Sequence, residues 1–274
     1  MNCRGTLVDF SSPEVMGVIN VNTDSFYKAS RRVSLDAIFQ YVEEAQLLGC
    51  NLIDIGVMSS KPGSEIIDSE VEIDAFKAVL PSLMREFPEI LISIDTLHAD
   101  TAAFCLEGGA SIINDISGGN FDSHMFATVA SYDAPIILMH MQGVPKTMQE
   151  NPQYDNVTMD VLAFFARQIH QAEVHGIKDI IIDPGFGFGK AVEHNYALLR
   201  DLSSFSIFDR PMLVGFSRKS MVSKVLHTNA ENSLNGTSIL NTLALTKGAK
   251  ILRVHDIKEA KECIVLYQTM QKQD

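Results

Sequence analysis

The residues best suited to chemistry sit where apolar runs stop. Ile180-Ile181-Ile182 gives way to Asp183-Pro184-Gly185-Phe186-Gly187-Phe188-Gly189-Lys190. Three β-branched residues in a row read as a short strand buried on both faces. A carboxylate at the end of such a strand is costly unless something hydrogen-bonds it. The alternating glycines let the backbone turn tightly and approach a ligand closely. Two phosphate-loop readings fail. A dinucleotide G-x-G-x-x-G needs glycine where Lys190 stands, and a Walker loop needs glycine at 184 and Ser or Thr at 191, the places of Pro184 and Ala191. What is left is a strand that delivers an acid to a pocket floor.

Other run ends carry the same kind of residue. Asp95, Asn114 and Asp183, together with Lys219, offer acceptors and donors suited to a flat, polar heterocycle, because a carboxylate facing an amino group and a ring N–H forms a forked, charge-assisted pair. A second group is cationic. Arg253 and His255 are two residues apart, so on a strand their side chains share a face, and Lys219 follows the preceding run. Each has a plainer reading. A single Asp at such a place is as often a cap, Asn114-Asp115 could cap the following turn, and His140 reads as a hydrogen-bonded packing histidine. Arg253 could pair with a core acid such as Asp54. The plain readings weaken together if all these positions open into one mouth.

The elements that would place them there recur regularly. Val15–Ile19 ends at Asn20, Leu52–Ile55 at Gly56, Ile90–Ile94 at Asp95 and Ser111–Ile113 at Asn114-Asp115. Pro135–Met139 ends at His140, the opening run at Asp183, Pro211–Val214 at Gly215 with Ser217-Arg218-Lys219-Ser220, and Ile251–His255 at Asp256. Helical segments alternate with these eight runs. Leu35, Ile38, Val42 and Ala45 have helical spacing with Gly49 as C-cap; Val157, Val161, Phe164, Phe165 and Ile169 mark a long helix stopping near Gly176. Ser69 with Glu72 reads as a capping box for a helix kinked at Pro81. Eight strand–helix alternations without a linker predict an α/β fold, a (β/α)8 TIM barrel spanning residues 1–274 as a single domain, with a doubly wound open sheet as runner-up. In such barrels the pocket lies at the C-terminal ends of the strands, and the loops after strands seven and eight are the usual phosphate site. Asn20, on strand one, neighbours strand eight in a closed barrel and is placed to give Mg²⁺ an oxygen ligand.

Composition narrows the partners. The 274 residues carry a net charge of −12, which argues against nucleic acid or an anionic membrane as the main partner but leaves room for an anionic substrate in a cleft with a few local cations. No apolar run approaches the roughly 20 residues of a membrane span, and the start Met1-Asn2-Cys3-Arg4 has no signal-peptide apolar region. Cys3, Cys50, Cys105 and Cys263 form no C-x-x-C pair and read as reduced thiols of a cytoplasmic protein.

These motifs together resemble bacterial dihydropteroate synthase, from about Met16 to Lys258. Met16-Gly17-Val18-Ile19-Asn20-Val21 with Asp24-Ser25-Phe26, Lys61-Pro62-Gly63, Ser93-Ile94-Asp95-Thr96 and Ile113-Asn114-Asp115-Ile116 follow the family in order. So do Leu138-Met139-His140-Met141, Pro145-Lys146-Thr147-Met148-Gln149, the Asp183–Lys190 loop, Ser217-Arg218-Lys219-Ser220 and Arg253-Val254-His255-Asp256. The family joins 6-hydroxymethyl-7,8-dihydropterin diphosphate to 4-aminobenzoate, an alkyl/aryl transfer on the way to folate, and is the sulfonamide target. The resemblance implies that Asp95, Asn114, Asp183, Gly215 and Lys219 hold the pterin, with Met139 and Phe188 packing on it and Arg253 stacking over the ring. It implies a diphosphate site of Asn20, Ser60, Lys61, Arg253 and His255 assisted by Mg²⁺ on Asn20, and a 4-aminobenzoate pocket of Phe26, Ser60, Pro62, Lys219 and Ser220. On this reading Lys219, Arg253, His255 and Asn20 carry the catalysis, and the family is usually a homodimer through its late helices. Two loops depart from the pattern: Lys28 stands where the family has an acid, and Lys61 where it has an arginine. A catalytically silent pterin-binding paralogue is the alternative that altered loops would permit. A pterin-dependent methyl-transfer domain has a similar barrel but acts beside a cobalamin module.

Overall fold

A computed structural model of the chain describes residues 1–21, 31–58 and 63–272, and of residues 31–34 the backbone alone. The sequence-level expectations for Phe26, Lys28, Ser60, Lys61 and Pro62 lie outside the described residues.

A two-stranded antiparallel hairpin, β1 (Asn2–Cys3) and β2 (Thr6–Leu7), comes first. The barrel strands are then β3 (Glu14–Asn20), β4 (Leu52–Gly56), β5 (Leu91–Asp95), β6 (Ile112–Asp115), β7 (Ile136–Met139), β8 (Ile180–Asp183), β9 (Leu213–Val214) and β10 (Ile251–Val254). They are parallel in the order β8-β7-β6-β5-β4-β3-β10-β9. A parallel bridge between Ile182 and Met212 joins the two ends, so the sheet curls into a nearly closed TIM barrel. Between the strands run α1 (Arg31–Leu47), α2 (Ser69–Glu86), α3 (Ala99–Glu107), α4 (Met125–Ser131), α5 (Val157–Val174), α6 (Val192–Arg200), α7 (Ser220–Val225) and α8 (Leu234–Thr246), and α9 (Ile257–Gln271) follows the last strand.

Period-two alternation explains why the runs could be almost wholly apolar and still build a polar mouth. Outward residues such as Ile53, Ile92, Ile94, Ile113, Ile136, Ile180, Ile182, Leu252 and Val254 join the helices in one large core. Inward residues near the strand starts form the lower filling of the barrel: Met16, Leu52, Ile112, Ile137, Ile181, Leu213 and Ile251. Cys3 and Phe10 close that layer from below, so the N-terminal hairpin plugs the barrel. Two residues further along, the inward positions turn polar on five strands, with Asp54, Ser93, Asn114, Asp183 and Arg253, while Val18 of β3, Met139 of β7 and Gly215 just after β9 stand there on the others.

The helix ends bear on the expectations. Gly49 and Gly176 both adopt positive φ just past α1 and α5, the conformation a glycine C-cap supplies. The capping box at Ser69 and Glu72 does not form. Asp68 occupies the cap position without a side-chain bond, and α2 continues through Pro81 to Glu86. Glu72 turns inward instead, where its Oε2 accepts a 2.5 Å hydrogen bond from the Thr96 hydroxyl just after β5. Burial raises the Glu72 pKa, and the Thr96 hydroxyl offsets part of that cost at one carboxyl oxygen.

Candidate active site

Parallel register sets the mouth out in order. Asn20 pairs with Gly56, Gly56 with Asp95, Asp95 with Asn114, and Met139 with Asp183. Across the seam, Arg253 pairs with Met16 on the neighbouring strand, and Gly215 lies beside Arg253 and Lys219. A Cβ added at Gly215 would stand 3.5 Å from Arg253 O and 3.7 Å from Lys219 Nζ, so this position lines the mouth between the two cationic residues.

Asp54 is the hub. It accepts from the Ser93 hydroxyl at 2.6 Å, from Asn114 Nδ2 at 3.1 Å, and from Arg253 Nε at 2.8 Å. Arg253 Nη2 also lies 2.6 Å from Asp54 and 3.1 Å from Asp95. The core-acid partner for Arg253 is therefore present in this ligand-free arrangement. Burial opposes the Arg253 charge, but Asp54 and Asp95 more than offset it and hold the guanidinium protonated. Burial, and then the Asp54 charge, push the Asp95 carboxyl well above the usual carboxylate range, while Arg253 pulls it back. Asp95 therefore retains a proton more readily than an isolated acid would.

The glycine loop after β8 forms the opposite wall. Asp183 Oδ1 accepts from Gly185 N at 2.8 Å, and burial raises its pKa against the opposing pull of Lys219. Lys219 donates to Phe186 O at 2.5 Å, and its ammonium sits 4.6 Å from the centre of the Phe188 ring. Burial lowers the Lys219 pKa to about 8, with Asp183 resisting. Met139 and Phe188 belong to an apolar patch above the polar layer, with Met58, Leu97, Ile116 and Met148. An acid wall, a cationic wall and an apolar lid of this kind suit a flat ring with N–H groups along one edge.

Of the positions singled out in the sequence, Asp95, Asn114, Met139, Asp183, Phe188, Gly215, Lys219 and Arg253 meet around this mouth. Asn20 ends β3 exposed at the rim. His255 is set slightly apart: its Nδ1 lies 3.0 Å from the Ser217 hydroxyl. Burial, then Arg253, lowers its pKa. Ser220 opens α7 at the surface. Asn114 and Asp115 divide their labour. Asn114 points to Asp54, and Asp115 takes the capping role, accepting from Ser117 N, Ser117 Oγ and Gly119 N.

Sequence reasoning noticed Asp54 only as a partner for Arg253 and missed Ser93. The signal was available, since Asp54 follows inward Leu52 by two and Ser93 precedes inward Asp95 by two.

The comparisons agree with this geometry. The family model described as pterin binding enzyme matches residues 16–255. The chain is 40% identical over 266 residues to the dihydropteroate synthase of Escherichia coli strain K12, covering 95% of this chain and 93% of that one. Its fold superposes on a Yersinia pestis dihydropteroate synthase solved with a sulfonamide drug, at a TM-score of 0.92 and 37% identity, covering 99% and 98% of the two chains. A Xanthomonas albilineans dihydropteroate synthase solved with 4-aminobenzoic acid gives a TM-score of 0.90 at 30% identity, covering 100% and 98%. By sequence along nearly its whole length and by fold, the chain belongs to the pterin-binding enzymes, in the company of the dihydropteroate synthases.

Proposed function

We infer that this chain is a dihydropteroate synthase that condenses 6-hydroxymethyl-7,8-dihydropterin diphosphate with 4-aminobenzoate, releasing diphosphate. The observation that carries the reading is the mouth itself: Asp95, Asn114, Asp183 and Lys219 surround a site between acid and cation walls. Asp183 and Asn114 accept from and donate to the ring edge, Met139 and Phe188 pack on its faces, and Gly215 leaves the ring room. Lys219 adds a donor on the opposite side.

Arg253 begins paired with Asp54 and Asp95 and sits one strand from Asn20, which supports a role for it at the diphosphate. With neutral His255 as a hydrogen-bond donor, it stabilises the departing anion. The pterin delocalises positive charge onto its methylene carbon, so the C–O bond to diphosphate breaks ahead of attack by the arylamine nitrogen. The chain's task is orientation and charge stabilisation, and no side-chain nucleophile is required. The arylamine loses its proton after the C–N bond forms. Lys219 and Ser220 serve the 4-aminobenzoate site in this reading, and the family resemblance adds Phe26, Ser60 and Pro62 to it and Ser60 and Lys61 to the diphosphate site as roles read from the sequence alone.

The donor set fits Mg²⁺ only as a partner of substrate. Among the described residues no cluster of three metal-ligating side chains occurs, while Asn20 offers one neutral oxygen at the rim. Asn20 would hold a Mg²⁺ whose other ligands are diphosphate oxygens and water, and the ion would supply neutralising charge to the leaving group. Ile239 and Leu243 on α8 and Val265, Leu266 and Met270 on α9 are exposed, which supports a homodimer through these helices. Four buried free cysteines support a reducing, cytoplasmic setting, and no helix among the described residues is long and apolar enough to cross a membrane.

The test is chromatography of a reaction holding dihydropterin diphosphate, 4-aminobenzoate and Mg²⁺. Equimolar dihydropteroate and diphosphate are expected. Pterin binding without either product would establish the silent paralogue instead.

A further inference from the structure

Lys190 has no part in the chemistry above, yet its side chain is buried, with the whole residue 3% exposed. Its ammonium is surrounded by acceptors. Gly185 O lies at 2.9 Å, Phe188 O at 3.1 Å, His140 O at 3.2 Å and His140 Nδ1 at 2.9 Å. Three of the four contacts are carbonyls, and two of these belong to the loop between Asp183 and Lys190 itself. His140 can accept at Nδ1 only as the neutral tautomer protonated at Nε2, and burial and the Lys190 charge both keep it neutral.

The loop has no room to settle elsewhere. Gly185 and Gly189 both have positive φ, and a Cβ at either would fall 2.0 Å from His140 O or 2.5 Å from Gln142 O. The backbone is thus pressed onto the end of β7, and Lys190 pins it there from beneath. Lys219 holds the loop from the mouth side through Phe186 O. The same loop carries the Asp183 carboxylate, which accepts from Gly185 N, and Phe188, whose carbonyl accepts from Lys190 and whose ring lies 4.6 Å from the Lys219 ammonium.

We propose that Lys190, bonded to neutral His140, is a positioning residue for pterin recognition: it fixes the glycine loop so that Asp183 and Phe188 meet the ring in one geometry. This rests on the reading of the mouth as a pterin site. A purely structural lysine would support the fold and leave the two substrates equally affected. A positioning lysine affects one substrate.

The experiment measures kcat and both KM values for wild type, Lys190→Met and Lys190→Gln, with thermal unfolding alongside. Lys190→Met keeps the length and removes every donor. It should raise the KM for dihydropterin diphosphate by about tenfold or more, as loss of two or three hydrogen bonds in a buried loop implies. The KM for 4-aminobenzoate should rise much less, since of the residues assigned to that substrate Lys219 touches this loop through Phe186 O and keeps that bond when Lys190 is replaced. Lys190→Gln keeps two donors and should fall between. If Lys190→Met does not fold, His140→Phe decides, removing one acceptor and raising the pterin KM alone by a few-fold. Folded variants with an unchanged pterin KM, or with both KM values raised together, overturn the proposal. A wild-type protein that makes no product overturns the functional reading itself, a separate outcome.

Discussion

Arg253 makes three close contacts to two buried carboxylates, and its behaviour follows from that confinement. Removing one partner of such a group leaves charge stranded in low dielectric, at a cost of about 3–5 kcal/mol. Arg253→Met should therefore lower thermal stability as well as weaken the diphosphate substrate, and calorimetry with diphosphate alone would separate the two effects. His255→Ala should weaken diphosphate less and leave stability near wild type, because its exposed ring bonds only Ser217 among the described residues. Lys190 gives a pH signature. Burial lowers its pKa to about 7 in the folded protein, below the 10.5 of a free lysine. Between those values the unfolded chain holds a proton that the native one has released, so unfolding takes up a proton and stability rises with pH. The penalty is full below about 7 and relieved towards 10.5. Denaturant titrations of wild type and Lys190→Met across that window should show the wild-type slope to be the steeper; parallel slopes would mean Lys190 does not titrate there.

The loop joining β9 to α7 shows how an element is held in an unfavourable shape for the site's benefit. Arg218 has φ of +58°, a left-handed conformation that costs a non-glycine residue about 1–2 kcal/mol. Its guanidinium reaches Asp256, just past β10, at 2.7 Å, tying the Lys219 loop to the strand that carries Arg253 and His255. Arg218→Gly relieves the strain and loses the tie, whereas Arg218→Ala loses the tie and keeps the strain. Both should raise the KM for 4-aminobenzoate several-fold, but thermal unfolding should find the glycine variant the more stable of the two. Elements of this kind were only partly legible in the sequence. The barrel strands announced themselves because each buried run ends at a polar residue or a glycine, and period two then decides what faces inward. Asp95, Asn114, Asp183 and Arg253 could be placed on that basis. The N-terminal hairpin could not, since its strands are two residues each and carry no measurable period. Glu72 was misread because Ser-x-x-Glu looks the same whether the glutamate caps its own helix or reaches a threonine beyond it. Lys190 was visible only as the end of a glycine motif, since bonds to backbone carbonyls leave no trace in residue types.

At the scale of the molecule, the barrel is apolar at one end and polar at the other, and the two ends can be perturbed separately. Phe10 seals the lower layer with Cys3. Phe10→Ala should cost about 3–5 kcal/mol of stability and leave both KM values unchanged, which differential scanning calorimetry and steady-state kinetics would check. The exposed apolar stripe on α8 and α9 belongs to neither end. If the proposed homodimer forms through it, Leu266→Glu shifts sedimentation from dimer to monomer without unfolding the barrel; identical sedimentation of both proteins would count against that dimer. The account as a whole stands on the mouth doing the condensation through the acid that closes β8. The measurement that bears on it most directly is dihydropteroate formation by wild type and by Asp183→Asn at saturating 4-aminobenzoate. The amide presents an N–H₂ where the pterin presents its own donors, so a charge-assisted bond worth about 1.5–3 kcal/mol is replaced by a mispaired donor. The account predicts steady product from the wild type, and a folded variant whose kcat/KM for dihydropterin diphosphate is lower by about a hundredfold or more. No product from a wild-type protein that binds pterin, or equal turnover by the folded variant, would contradict it.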